Sequence, residues 1–120
     1  MLPIALAEAV SQPETDIARD ATIKRFECTF EVVWKTLKLF LEHQGHECNS
    51  PRSTIRKAFA EGLIATLEEA DIWLRMLEDH NLTSHTYDEG LARRIYRGIV
   101  QEYAPRLSAM AAHIQSFSWE

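Results

Sequence analysis

Between Tyr87 and Ile114 the apolar residues Tyr87, Leu91, Ile95, Ile99, Tyr103, Leu107, Met110 and Ile114 recur at steps of four, broken by a single three. A stripe of that length and spacing predicts a long amphipathic helix, from about Ser84 to Phe117, with one face buried. Phe26, Phe30, Val33, Leu37 and Leu41 form a second stripe, at steps of four, three, four and four, inside a helix from Ile17 to about His43. No stretch alternates long enough to predict a strand, and nothing repeats internally. At 1.5 Å per residue the two helices would be about 40 and 50 Å long, so an elongated bundle is expected. Pro105 removes one backbone hydrogen bond and is expected to bend the second of them.

The connectors carry helix-end chemistry. Asp16 is the expected N-cap of the first long helix, and Gly45 belongs just past its end. Ser50 and Pro51 start a short helix running to Glu61, Gly62 permits a break, and Thr66-Leu67-Glu68-Glu69 has capping-box spacing for a helix over about 67–79. A further short helix over residues 2–11, with Leu2, Leu6 and Val10 on one stripe, is a lid or lead-in. With only four glycines and four prolines in 120 residues, elements are few and long. The expected fold is all-α: a four-helix up-and-down bundle with a short extra N-terminal helix, one domain over residues 1–120.

A net charge of −5 argues against an extended DNA- or RNA-binding surface but leaves room for a local basic pocket. Arg52, Arg56 and Lys57 are the densest basic cluster, either a solvated face or a patch for a phosphate or an acidic partner. The apolar run at the N-terminus has no basic flank and reaches Glu8 too soon for a signal or a membrane span, so a cytoplasmic protein with no membrane partner is expected. Cys28 and Cys48 are then free thiols. His43, His46 and Cys48 are competent metal ligands, yet a structural zinc needs a fourth, and a histidine before Gly45 is ordinary helix-end chemistry. No metal or cofactor is expected.

Chemistry concentrates in His80-Asn81-Leu82-Thr83-Ser84-His85-Thr86-Tyr87-Asp88-Glu89, where two imidazoles, a carboxamide, a phenol and two carboxylates share ten residues between helices. The plain alternative is a capped turn: Asn81 ends one helix in a left-handed conformation, and Thr83, Ser84 or Thr86 starts the next, with Thr86 to Glu89 at capping-box spacing. His80 continues the stripe of Ala70, Trp73 and Leu77, which makes it semi-buried and open to a structural role as a neutral, backbone-bonded imidazole.

The runs Asp20-Ala21-Thr22-Ile23-Lys24-Arg25-Phe26-Glu27 and Phe30-Glu31-Val32-Val33-Trp34-Lys35-Thr36-Leu37-Lys38, then Gly62-Leu63-Ile64, Trp73, Met76 and Asn81 to Glu89, resemble the nucleotidyltransferase substrate-binding protein family, HepT-like members of the HEPN group. The resemblance covers about residues 20–104. It implies a four-helix bundle that forms a homodimer and works with a minimal nucleotidyltransferase subunit, in many members as a toxin and antitoxin pair. The family motif is Arg, four residues, His, any residue, Tyr. His85 and Tyr87 match it, while His80 stands at the Arg position.

In the family this motif supports metal-independent RNA cleavage, which needs a base, an acid and a positive donor to the phosphorane. A histidine with a reference pKa of about 6.5 is mostly neutral at pH 7 and holds phosphate less firmly than arginine. His80 and His85 are therefore either a catalytic acid and base pair in a ribonuclease, or remnants in a subunit whose Tyr87 accepts AMP from its partner. A purely structural dimer is the third alternative. Asn81, Ser84, Arg25 and Lys35 are candidate supporting residues for a bound nucleotide or RNA.

Overall fold

The computed structural model of the chain describes Leu6 and residues 14–117, and every regular element among them is helical. Helix α1 spans Asp16–His43, α2 Pro51–Ala60 and α3 Leu67–Asn81. A 3₁₀ turn, Thr83–His85, leads to α4, Glu89–Gly98, which a π segment, Ile99–Tyr103, joins to α5, Ala104–Gln115. The last three together form the fourth arm of the bundle. Of the predicted N-terminal helix only Leu6 is described, helical and fully buried; the rest lies outside the described residues.

The spine is α1. Its 28 residues match the 44 Å long axis of a body 23 and 22 Å across, and α2, α4 and α5 all pack on it. Phe26, Phe30, Val33, Leu37, Phe40 and Leu41 are buried along it. Each phenylalanine contributes about 1.5–3 kcal/mol by leaving water. Trp34 is only partly buried and directs its indole N–H to Glu31 at 3.3 Å. Phe117, near the chain's end, rests on Phe40 of its own chain with ring centroids 4.8 Å apart.

Helix ends follow the sequence in part. Ser50 caps α2 with Pro51 at the first position, and Thr66 accepts the Glu69 N–H at the start of α3. Gly45 and Gly62, with φ of +92° and +83°, make the left-handed turns after α1 and α2. The N-cap of α1, however, is Thr15, whose hydroxyl accepts the Ala18 N–H, while Asp16 pairs with Arg19 at 2.9 Å. Asn81 is the last helical residue of α3 rather than a left-handed cap; the two glycines are the only positive-φ residues described.

The final pillar departs most from its predicted form. The Asp88 carboxylate, a stronger cap than threonine, accepts the Leu91 N–H and starts α4. Tyr87 therefore precedes the helix and is 85% exposed, instead of opening its buried stripe. Ahead of Pro105 the helix widens: the Ala104 N–H reaches the Ile99 carbonyl five residues back, so the expected bend takes the form of a π turn. Gly98 makes room for it, because a Cβ there would lie 2.9 Å from the Tyr103 ring.

Candidate functional site

The corner between α3 and α4 is built by short-range bonds. The His85 N–H donates to Leu82 and the Asp88 N–H to His85, which folds the connection back on itself. Thr83 anchors it: its hydroxyl lies 2.7 Å from Glu27 Oε1 on α1 and 2.8 Å from the His80 carbonyl, sharing its proton between them. With its base fixed, the corner holds His85 and Tyr87 out into solvent. The Tyr87 hydroxyl is 3.4 Å from His85 Nδ1, and the rings meet edge to face at 5.9 Å.

Beneath Tyr87 lies a cleft of about 210 Å³, lined by Asp20, Ile23, Lys24 and Glu27 of α1 and by Thr83, Thr86 and Tyr87. Lys24 Nζ and Glu27 Oε2 are 3.5 Å apart, so the floor carries both signs of charge next to the phenol. Sequence reasoning named Arg25 and Lys35 as the supporting cations. Arg25 is exposed on α1, but the cleft takes Lys24 in its place, with Asp20 and Glu27. The spacing 20, 24, 27, one face of a helix, was the available signal.

His80 occupies a different environment from His85. Its ring packs on Phe30 at 4.6 Å and on the edge of Phe26 at 6.2 Å, and its Nε2 is 3.3 Å from Glu31 Oε1. Its Nδ1 is buried with no hydrogen-bond partner among the described residues. Lys35 is held by the same carboxylate, 3.3 Å from Glu31 Oε2. The structure thus joins His80 and Lys35 through Glu31, and His85 with Tyr87 at the open corner. Asn81 and Ser84 are exposed beside that corner.

Elsewhere, His46 faces Glu61 at 3.0 Å and Cys48 is buried, while Cys28 is exposed; both thiols are free. Among the described residues no three His, Cys, Asp or Glu side chains gather as a metal site, and no helix is long and apolar enough to cross a membrane.

Fold and corner together define a small helical-bundle protein that presents a tyrosine and a histidine to solvent above a charged cleft. The family model described as "Nucleotidyltransferase substrate binding protein like" matches residues 2–116, and the chain belongs to that family. A crystal structure of a Thermus thermophilus protein is similar, with a TM-score of 0.88 and 39% sequence identity over 95% of this chain and 96% of that one. No curated protein matches.

Proposed function

We propose that this chain is the partner subunit of a separate, minimal nucleotidyltransferase and that Tyr87 is the acceptor to which that enzyme transfers AMP. The observation that carries the reading is the Tyr87 phenol, 85% exposed and 3.4 Å from an imidazole nitrogen. The phenolic oxygen attacks the α-phosphorus of ATP, the bond to pyrophosphate breaks, and the phenol proton leaves through His85 Nδ1 or a base of the enzyme. A neutral phenol is a weak nucleophile unaided, so the partner supplies the metal and the bound nucleotide. The family assignment and the engagement of His80 with Glu31, away from the exposed pair, favour this over a ribonuclease using His80 and His85.

Mass spectrometry of the chain co-expressed with its nucleotidyltransferase tests the reading. An AMP-sized increment is expected on Tyr87, absent in Tyr87→Phe and slower to appear in His85→Ala. An increment that persists in Tyr87→Phe would move the acceptor elsewhere. Co-purification without any stable complex would remove the partner.

A further inference from the structure

Among the chain's 13 lysines and arginines, five meet no carboxylate of the described residues within 4 Å. Arg25 and Arg97 stand apart, but Arg52, Arg56 and Lys57 share one ten-residue helix, α2, which has no acidic residue. All three line a single cleft of about 430 Å³. In a chain with 18 carboxylates, Arg52 and Arg56 one turn apart, with Lys57 next to Arg56, make a local positive patch that attracts anions.

The rest of the lining says which anion. Ser50 and Ser53 are committed to each other and to the helix N-terminus, so the cations are left as the cleft's anion-binding groups. The one carboxylate in the lining is Glu47. Guanidinium forks fit phosphate oxygens, and a carboxylate beside them accepts hydrogen bonds from ribose hydroxyls, donors that an acidic peptide's carboxylates do not offer. The volume falls within the range of about 300–1,000 Å³ typical of small-ligand sites. We propose that the α2 cleft binds a nucleoside phosphate, with Arg52 and Arg56 on the phosphate oxygens, Lys57 adding charge and Glu47 on the ribose. The site is separate from the Tyr87 corner and does not depend on Tyr87 accepting AMP.

Calorimetric titration of the whole chain, without its partner, tests this with ATP, AMP, adenosine, inorganic phosphate and a short RNA as probes. ATP is expected to bind at least tenfold more tightly than adenosine or phosphate. Its affinity should fall at least tenfold in the double variant Arg52→Gln, Arg56→Gln while Arg97→Gln leaves it unchanged. Glu47→Gln should narrow the preference for ATP over phosphate. An unchanged melting midpoint shows that each variant is folded, and Lys57→Gln offers an independent substitution should the double variant unfold. ATP affinity unaltered in the double variant, or abolished only by Tyr87→Phe, would overturn the proposal. So would binding of RNA alone, or a double variant that binds no nucleotide differently yet loses its complex with the nucleotidyltransferase, which would make α2 a protein-docking face.

Discussion

The Tyr103 phenol donates a 2.6 Å hydrogen bond to Asp79 Oδ2, and Arg94 donates to the other oxygen at 2.9 Å. One buried carboxylate at the end of α3 thus ties down both α4 and the π segment, and the Tyr103 ring stacks on Phe26 of α1 at 5.7 Å. Tyr103→Phe keeps the stacking and strands one Asp79 oxygen in the interior. A hydrogen bond to a charged group contributes about 1.5–3 kcal/mol, and a loss of that size is expected in urea denaturation. Burial, reinforced by the Asp79 carboxylate, also pushes the phenol well above its ordinary value. The stability gained from a protonated Tyr103 is therefore complete below about pH 10, where an unfolded phenol ionises, and is lost as pH rises toward the folded value. Wild type should destabilise in alkali more steeply than Tyr103→Phe; equal slopes would contradict this origin.

Gly98→Ala ought by helix propensity alone to stabilise α4 by about 1 kcal/mol. The opposite is expected, because the new Cβ would sit 2.9 Å from Tyr103 Cε2. That ring is held by Phe26 on one side and Asp79 at its tip, so it does not swing away. Overpacking of this kind costs about 1–3 kcal/mol. A thermal melt of Gly98→Ala should show a lower midpoint, and the same substitution should cost less when made in a Tyr103→Leu background, where the clashing ring is gone. A midpoint above that of wild type would mean the ring moves freely.

The bundle was legible because its apolar stripes are long, and Ser50, Thr66, Gly45 and Gly62 punctuate them with unambiguous end chemistry. The π turn was written in the same stripe and passed over. Steps of four overshoot the 3.6-residue repeat by about 40° each, so the run from Leu91 to Leu107 would wind off the core face of a straight α-helix. A turn holding more residues takes up the drift, and Ile95, Ile99, Tyr103 and Leu107 all stay buried. Tyr87 was misplaced for the converse reason: a phenol at helical spacing reads as core until Asp88 takes the N-cap. At the site, residue type found His85 and Tyr87, but Glu27 and Glu31, which organise Thr83 and His80, look in sequence like ordinary charges on α1. Their partners lie more than 45 residues away, where local spacing carries no information.

At the other end of the bundle Arg106 grips Glu69 with two bonds, of 2.8 and 3.0 Å, and donates a third, of 2.9 Å, to the Glu102 carbonyl. Hydrogen bonds from Arg106 hold the Glu69 carboxyl below its ordinary value of 4.5. The stability this gives is present above about pH 4.5 and lost as pH falls through the lower folded value. Glu69 is 39% exposed, so solvent screening limits the effect to about 1 kcal/mol or less. Glu69→Gln should lower stability by that amount at pH 7 and by nothing measurable near pH 2. A deficit that persists unchanged in acid would point to lost packing instead.

His80 carries one of two buried side-chain nitrogens without a partner among the described residues, so its replacement tests whether the imidazole serves the fold. Leucine has similar volume, keeps the contacts with Phe26 and Phe30, and removes that orphan nitrogen. It also breaks the 3.3 Å contact with Glu31, whose carboxylate retains Trp34 and Lys35. An unmet buried polar group costs about 1–3 kcal/mol, more than a long bond to a 40% exposed carboxylate returns. His80→Leu is therefore expected to leave stability unchanged or raise it by up to about 1 kcal/mol in urea denaturation. His80→Ala, which opens a void beside Phe30, should lose roughly 1–3 kcal/mol. If leucine instead costs more than about 2 kcal/mol, the Glu31 contact outweighs the orphan nitrogen and the imidazole is a structural requirement of the α1 and α3 interface.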